Sequence, residues 1–164
     1  MPSVEAERLV KLIKEKTGEL NNICKGIDEN TASRAPEGRW APKQVLSHLC
    51  GPEGLGLMAS LRAFLEQDTP RLDIEPENPY YTEKRAGMTM AQLLEEFNRE
   101  YGRIAEFTAG LTDAQLSRKA HIPLVKETPM GEYPTLAMWI NAIAEYHVGF
   151  HIDHMKEILQ ALKA

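Results

Sequence analysis

Three histidines stand where helical chain segments would turn them inward. The stretch from Leu136 to Met155 carries His147, His151 and His154. At about 100° per residue, Leu136, Ile140, Ile143, His147, His151 and Ile158 fall within roughly 80° of arc, so the core-facing stripe includes two imidazoles. An i, i+4 pair sets those rings about 6 Å apart on one face, close enough to share a metal ion. A second stripe, Val45, His48, Pro52, Leu55 and Ala59, turns His48 inward from another helix. Packed together, the three would offer neutral nitrogens to one point with coordination positions left open. Such a ligand set leaves a divalent charge uncompensated, which suits it to bind and activate an anion such as hydroxide or thiolate. An inward histidine can also be a core residue bonded to a carbonyl, and for His48 alone that is the ordinary expectation. For the His147/His151 pair, a metal site and structural packing stand level, although desolvating two imidazoles without a common purpose is costly. His154 shares the arc, but a third ligand one turn further along strains the geometry, so it is expected to pack or to orient a ligand. His121 is expected to be a solvated loop residue with no partner.

Other chemistries are excluded by motif. No glutamate stands three residues before a histidine, so the di-iron carboxylate bundle is ruled out. H-E-x-x-H, G-x-S-x-G and a Walker loop are absent. Cys24 and Cys50 form no C-x-x-C pair. Cys50, two residues from His48, points roughly 200° away from it on a regular helix and reads as a packed thiol.

The elements that must position the histidines are long amphipathic helices. The first is expected from an N-cap at Ser3 to about Asp28, with Leu9, Ile13, Leu20, Ile23 and Ile27 inward and Glu5 and Glu7 at the favourable end of its dipole. The second starts near Pro42 and is expected to reach about Gln67. Pro52 has no amide hydrogen, so the bond to the carbonyl of His48 is lost, and a bend or opening is expected between His48 and Gly54. The aperiodic Pro70–Met88 stretch permits a crossover rather than a hairpin. Thr89-Met90-Ala91-Gln92 is a capping box for a third helix with the stripe Leu93, Leu94, Phe97, Tyr101, Ile104 and Thr108, stopped by Gly110. Thr112-Asp113-Ala114-Gln115 repeats the box for a short turn, and a fourth helix opens near Thr135. The chain has 164 residues, 43% of them hydrophobic and 26% charged, which fits one globular domain spanning 1–164. A net charge of −5 argues against a nucleic-acid partner. The acidic start lacks signal-peptide character and no apolar run is long enough to span a membrane, so a cytoplasmic location is expected.

Two segments carry a resemblance. Trp40-Ala41-Pro42-Lys43-Gln44-Val45-Leu46-Ser47-His48-Leu49 resembles the W-[ST]-P-x-x-[VI]-L-x-H-L start of the second helix in the DinB/YfiT-like superfamily. His147-Val148-Gly149-Phe150-His151-Ile152 is similar to that family's H-x-x-x-H motif in its last helix. The resemblance implies an all-α four-helix bundle with long crossover connections, usually homodimeric, with a divalent metal held by His48, His147 and His151. Relatives of this kind include metal-dependent transferases and isomerases that use small thiols such as bacillithiol, mycothiol or glutathione. Two departures stand out. Ala41 replaces the N-cap hydroxyl, at a cost of about 1 kcal/mol. Cys50-Gly51-Pro52-Glu53-Gly54-Leu55-Gly56 interrupts the helix after the H-L pair, implying a widened pocket, close helix packing or a degenerate member. The expected function is therefore a metal-dependent enzyme, a thiol S-transferase acting on a small electrophile. The competing expectation is a non-catalytic dimeric bundle with a structural or vestigial metal site. Zinc or nickel leads as the ion, with iron also compatible with three imidazoles. No catalytic side chain is assigned, though Glu53 could act as a base if the kink turned it inward.

Overall fold

The computed structural model describes residues 3–163. Helix α1 (Val4–Cys24) begins where Ser3 Oγ accepts from the Ala6 amide at 3.2 Å, and it buries Ala6, Leu9, Ile13, Leu20 and Cys24. It stops four residues short of the expected end. Asp28 instead caps a separate turn, α2 (Glu29–Ala32), by accepting the Thr31 amide at 2.8 Å.

The expected second helix is two, α3 (Pro42–Cys50) and α4 (Met58–Glu66). Pro52 is the physical cause, and the break falls where expected. Gly51 turns to φ +76, its amide bonds the His48 carbonyl at 3.1 Å in place of the missing proline donor, and Gly54 and Gly56 follow at φ +77 and +62. The inward stripe does not continue across this break: Leu55 is 60% exposed and Ala59 is exposed as well. Counting 100° per residue fails once the helix has opened. At the start of α3, Ala41 offers no side-chain acceptor, but Gln44 Oε1 still accepts the Ala41 amide at 2.8 Å, half of the usual reciprocal cap.

A short turn, α5 (Glu83–Ala86), precedes α6 (Met90–Ala109), which opens on the expected Thr89/Gln92 box and buries Leu93, Phe97, Tyr101, Ile104 and Thr108. Thr112 and Gln115 cap α7 (Asp113–Leu116) in the same way. The last long helix begins at the Thr135 cap and runs through α8 (Leu136–Asn141), a π-helical segment (Ala142–Val148) and α9 (Gly149–Lys163).

Side-chain pairings fix the directions. Ser3 bonds Asp113 beyond the end of α6, and the Asn21 and Asn98 amides bond each other at 2.7 and 2.9 Å, so α1 and α6 are antiparallel. Arg8 reaches Asn141 and Lys16 reaches Glu145, so α1 runs parallel to the last helix. Cys50 lies on Leu93 and Leu57 on Glu100, which makes α3–α4 parallel to α6. His48 meets His147, and Arg39 meets Glu157, so α3 opposes α9. The four long helices therefore run up, down, down, up, with α1 opposite α3 on one diagonal and α6 opposite α9 on the other. Parallel neighbours cannot be joined by a hairpin, and the stretch between α4 and α6 is the expected crossover. Leu9, Leu20, Leu46, Leu61, Phe64, Phe97 and Ile104 have no exposed surface, and each contributes roughly 1.5–3 kcal/mol by burial. Among the described residues, no helix is long and apolar enough to cross a membrane.

Candidate metal centre and its cavity

Helix α3 carries His48 to the bundle interior, and the π segment with α9 brings His147 and His151 against it. Ring centroids are 4.7 Å apart for His48–His151, 4.9 Å for His48–His147 and 5.0 Å for His147–His151. One nitrogen from each ring lies within 4.8 Å of the other two. The structure thus brings together all three residues singled out from the sequence. Their last helix is not regular, however: the i→i+5 bonding of the π segment widens the turn that ends at Val148, next to His147. Nothing in Ala-Ile-Ala-Glu-Tyr-His-Val announces that widening.

The His48 tautomer is set from outside the cluster. His48 Nδ1 donates to the Asn78 carbonyl at 2.6 Å, since a carbonyl only accepts. Its Nε2 therefore carries a lone pair, aimed at His147 Nε2 2.8 Å away. His151 Nδ1 meets His154 Nδ1 at 3.2 Å, so His154 touches a cluster member from outside, as expected. Burial pushes His147 down to about 4, with His48 adding to the effect, and His151 down to about 2, with the neighbouring imidazoles adding to burial. His48 is lowered too, by burial first, against the opposing bond to Asn78. All three are thus held neutral at pH 7, the form that ligates. This donor set fits a divalent transition metal: three converging neutral nitrogens, with the outer nitrogens of His48 and His151 engaged elsewhere.

No local sequence pattern marks the residues that hold His48. Tyr80 lies parallel to its ring, at 6.2 Å and 3°. Tyr80 adopts φ +50, a costly conformation for a bulky residue. Asn78 Oδ1 accepts its amide at 2.8 Å, and its carbonyl accepts Ser47 Oγ at 2.9 Å. Arg85, only 1% exposed, secures this junction. Its Nη1 reaches the carbonyls of Gly51 at 2.6 Å, Ser47 at 3.1 Å and Tyr80 at 3.2 Å, while Nη2 pairs with Glu96 at 2.8 Å. Trp40, the first residue of the motif around His48, walls the other side, 5.2 Å from His48 and nearly parallel to His151 at 6.3 Å.

The histidines line a cavity of about 830 Å³. Its walls are mostly apolar, from Trp40, Leu57, Ile74, Val125, Trp139 and Ile143, which is the usual character of a small-molecule site. Glu53 is not part of it. The open loop turns Glu53 outward, where Thr82 Oγ1 donates to it at 3.4 Å, so a role as base is not supported. Cys50 is buried on the far side, its thiol pushed up to about 12 by burial. His121 is not the unpartnered loop residue expected: its Nε2 pairs with Glu132 at 3.0 Å and its ring stacks on Tyr133, because residues 119–135 fold back on themselves.

Comparison with known proteins agrees with this architecture. The family model of the DinB superfamily matches residues 12–155. The chain is similar to the solved structure of YfiT from Bacillus subtilis, described as a probable metal-dependent hydrolase with an unusual four-helix bundle topology. Identity is 20% and the TM-score 0.76, over 98% of this chain and 90% of that one, a likeness of fold. No curated protein matches the chain.

Proposed function

Since this chain belongs to the DinB superfamily, we propose that it is a divalent-metal-dependent enzyme acting on small molecules, with His48, His147 and His151 as the metal ligands. The observation that carries this reading is the convergence of three neutral imidazoles on one wall of a large apolar cavity. A bound divalent ion supplies Lewis acidity there, lowering the pKa of a thiol or a water molecule that reaches it. The chain's own groups do the rest. Asn78 and His154 engage the outer nitrogens of His48 and His151 and so keep their other nitrogens directed inward. Trp40, packed against the His48 and His151 rings, keeps bulk water off that side of the cluster, which strengthens electrostatic effects there. Neither cysteine borders the cavity, so a thiol nucleophile would come from outside the chain.

In the preferred reading that nucleophile is a low-molecular-weight thiol transferred to a small electrophile, and about 830 Å³ gives room for both. Hydrolysis is the second reading, favoured by the likeness to YfiT. The test sets metal-loaded and chelated protein side by side. Thiol consumption with a panel of electrophiles, and release from activated esters and amides, are followed in both. Metal-dependent thiol consumption abolished in His48→Ala supports S-transfer, and metal-dependent ester or amide cleavage supports hydrolysis. If both assays give equal rates with and without metal, the enzyme reading fails and a non-catalytic bundle takes its place.

A further inference from the structure

The charged residues lining the cavity are not distributed like its apolar ones. Trp40, Leu57, Trp139 and Ile143 line the cavity with the three histidines and are buried or half-buried, whereas the charged residues are all exposed and so sit where the cavity meets solvent. They are Glu75, Glu77, Glu157 and Arg39, three carboxylates against one guanidinium. Arg39 is moreover drawn to Glu157 at 3.6 Å, so among the described residues no unpaired Lys or Arg lines the mouth. Beside them Tyr146 and Phe150, 67% and 65% exposed, extend the aromatic lining outward. A ligand seated here meets, in order, an acidic aromatic rim, an apolar wall and the imidazole cluster.

We propose that this cavity selects substrates with an apolar or aromatic body whose solvent-facing end is neutral or positively charged, and rejects those bearing an anion there. The inference deepens the enzyme reading above and rests on it for the word substrate, but the selection itself belongs to the cavity. Two surplus negative charges at roughly 8 Å, in a water-like dielectric, favour a monocation over a neutral group by about fivefold and disfavour a monoanion by about as much. A positive end also gains from the faces of Tyr146 and Phe150. The carboxylates are solvated, so the preference shrinks as salt screens them.

The probes are three phenylalkyl compounds of equal chain length ending in trimethylammonium, hydroxyl or carboxylate. Binding is measured by titration calorimetry on full-length metal-free protein, with the emission of Trp40 and Trp139, which both line the cavity, reporting occupancy. The metal-free form keeps the carboxylate probe from binding a metal head-first, so a failed metal assignment and a failed selectivity remain separate results. Expected is an order of affinity cation, alcohol, carboxylate, with about a 25-fold span between the ends. That span should collapse in a Glu77→Gln/Glu157→Gln variant and in about 0.5 M salt. Carboxylate binding equal to or tighter than the cation's, a span unchanged in the variant, or no response of tryptophan emission to any probe overturns the proposal.

Discussion

Replacing Arg85 by Met tests whether the junction behind His48 is held by one buried guanidinium. The side chain is 1% exposed, and its Nη1 ties the carbonyls of Ser47 and Gly51, one turn apart at the end of α3, to that of Tyr80 in a distant loop. Methionine matches the stem but donates nothing. A buried carbonyl left without a donor costs about 1–3 kcal/mol, and breaking a buried ion pair by removing one partner costs about 3–5 kcal/mol. The pairing with Glu96 is discounted because that carboxylate is 27% exposed and water replaces part of what it loses. Arg85→Met is therefore expected to destabilise the protein by about 3–5 kcal/mol, and Glu96→Gln by about 1 kcal/mol or less. Arg85→Lys should fall between, since one ammonium cannot span both Glu96 and the Gly51 carbonyl. Urea unfolding of metal-free protein at pH 7 reads these differences as midpoint shifts at constant slope. Because Tyr80 sits two residues from Asn78, the acceptor of His48 Nδ1, the methionine variant should also retain less metal on dialysis. A loss below about 1 kcal/mol for Arg85→Met, or no more than that of Glu96→Gln, would refute the clamp.

Metal-free protein should lose stability as pH falls below the ordinary imidazole value of 6.5, because His48, His147 and His151 are lowered in the folded state and the unfolded chain takes up the protons first. The loss should deepen towards about pH 4, where His147 begins to protonate in place, and His147→Phe should flatten the profile; an unchanged profile counts against neutral burial. Gly56→Ala should cost more than Gly54→Ala. Both glycines have positive φ, but an added Cβ at Gly56 would meet the Glu100 carboxylate at about 2.5 Å while Gly54 has nothing within 4 Å. Strain alone gives about 1–2 kcal/mol at each, and thermal unfolding showing equal losses would remove the steric part of the argument. Cys24 and Cys50, both buried and pushed up to about 12, should react with a thiol reagent at neutral pH only as fast as the protein opens, and labelling within seconds would contradict their packing.

What the sequence disclosed, it disclosed through local chemistry. The boxes at Thr89/Gln92 and Thr112/Gln115 and the cap at Ser3 satisfy amides three residues away, so their signals lie within one turn of the chain. The break after Cys50 was legible for the same reason, because Pro52 removes a bond to a known carbonyl. The inward placement of His48, His147 and His151 followed from helical periodicity. Periodicity misled where its premise failed, at Leu55 and Ala59 beyond the opened loop. Asn78, Tyr80 and Arg85 gave no signal, since their roles depend on a loop packing against a helix some 30 residues earlier in the chain. His121 and Glu132 are likewise separated by a loop whose path no local pattern fixes.

The order of the helices also bears on how fast the molecule can assemble. In an up-and-down bundle each helix docks on its successor through a short turn, and such local contacts allow folding in microseconds to milliseconds. Here α1 lies diagonal to α3 and α6 lies diagonal to α9, so α1 finds its partners in α6 and the last helix. The two imidazoles that meet at 2.8 Å are 99 residues apart along the chain. Loop closure over such spans costs entropy before any contact repays it. The chain should therefore fold more slowly than its helix content suggests, and the histidine cluster, which needs α3 and the last helix docked together, should be among the final parts of the molecule to form.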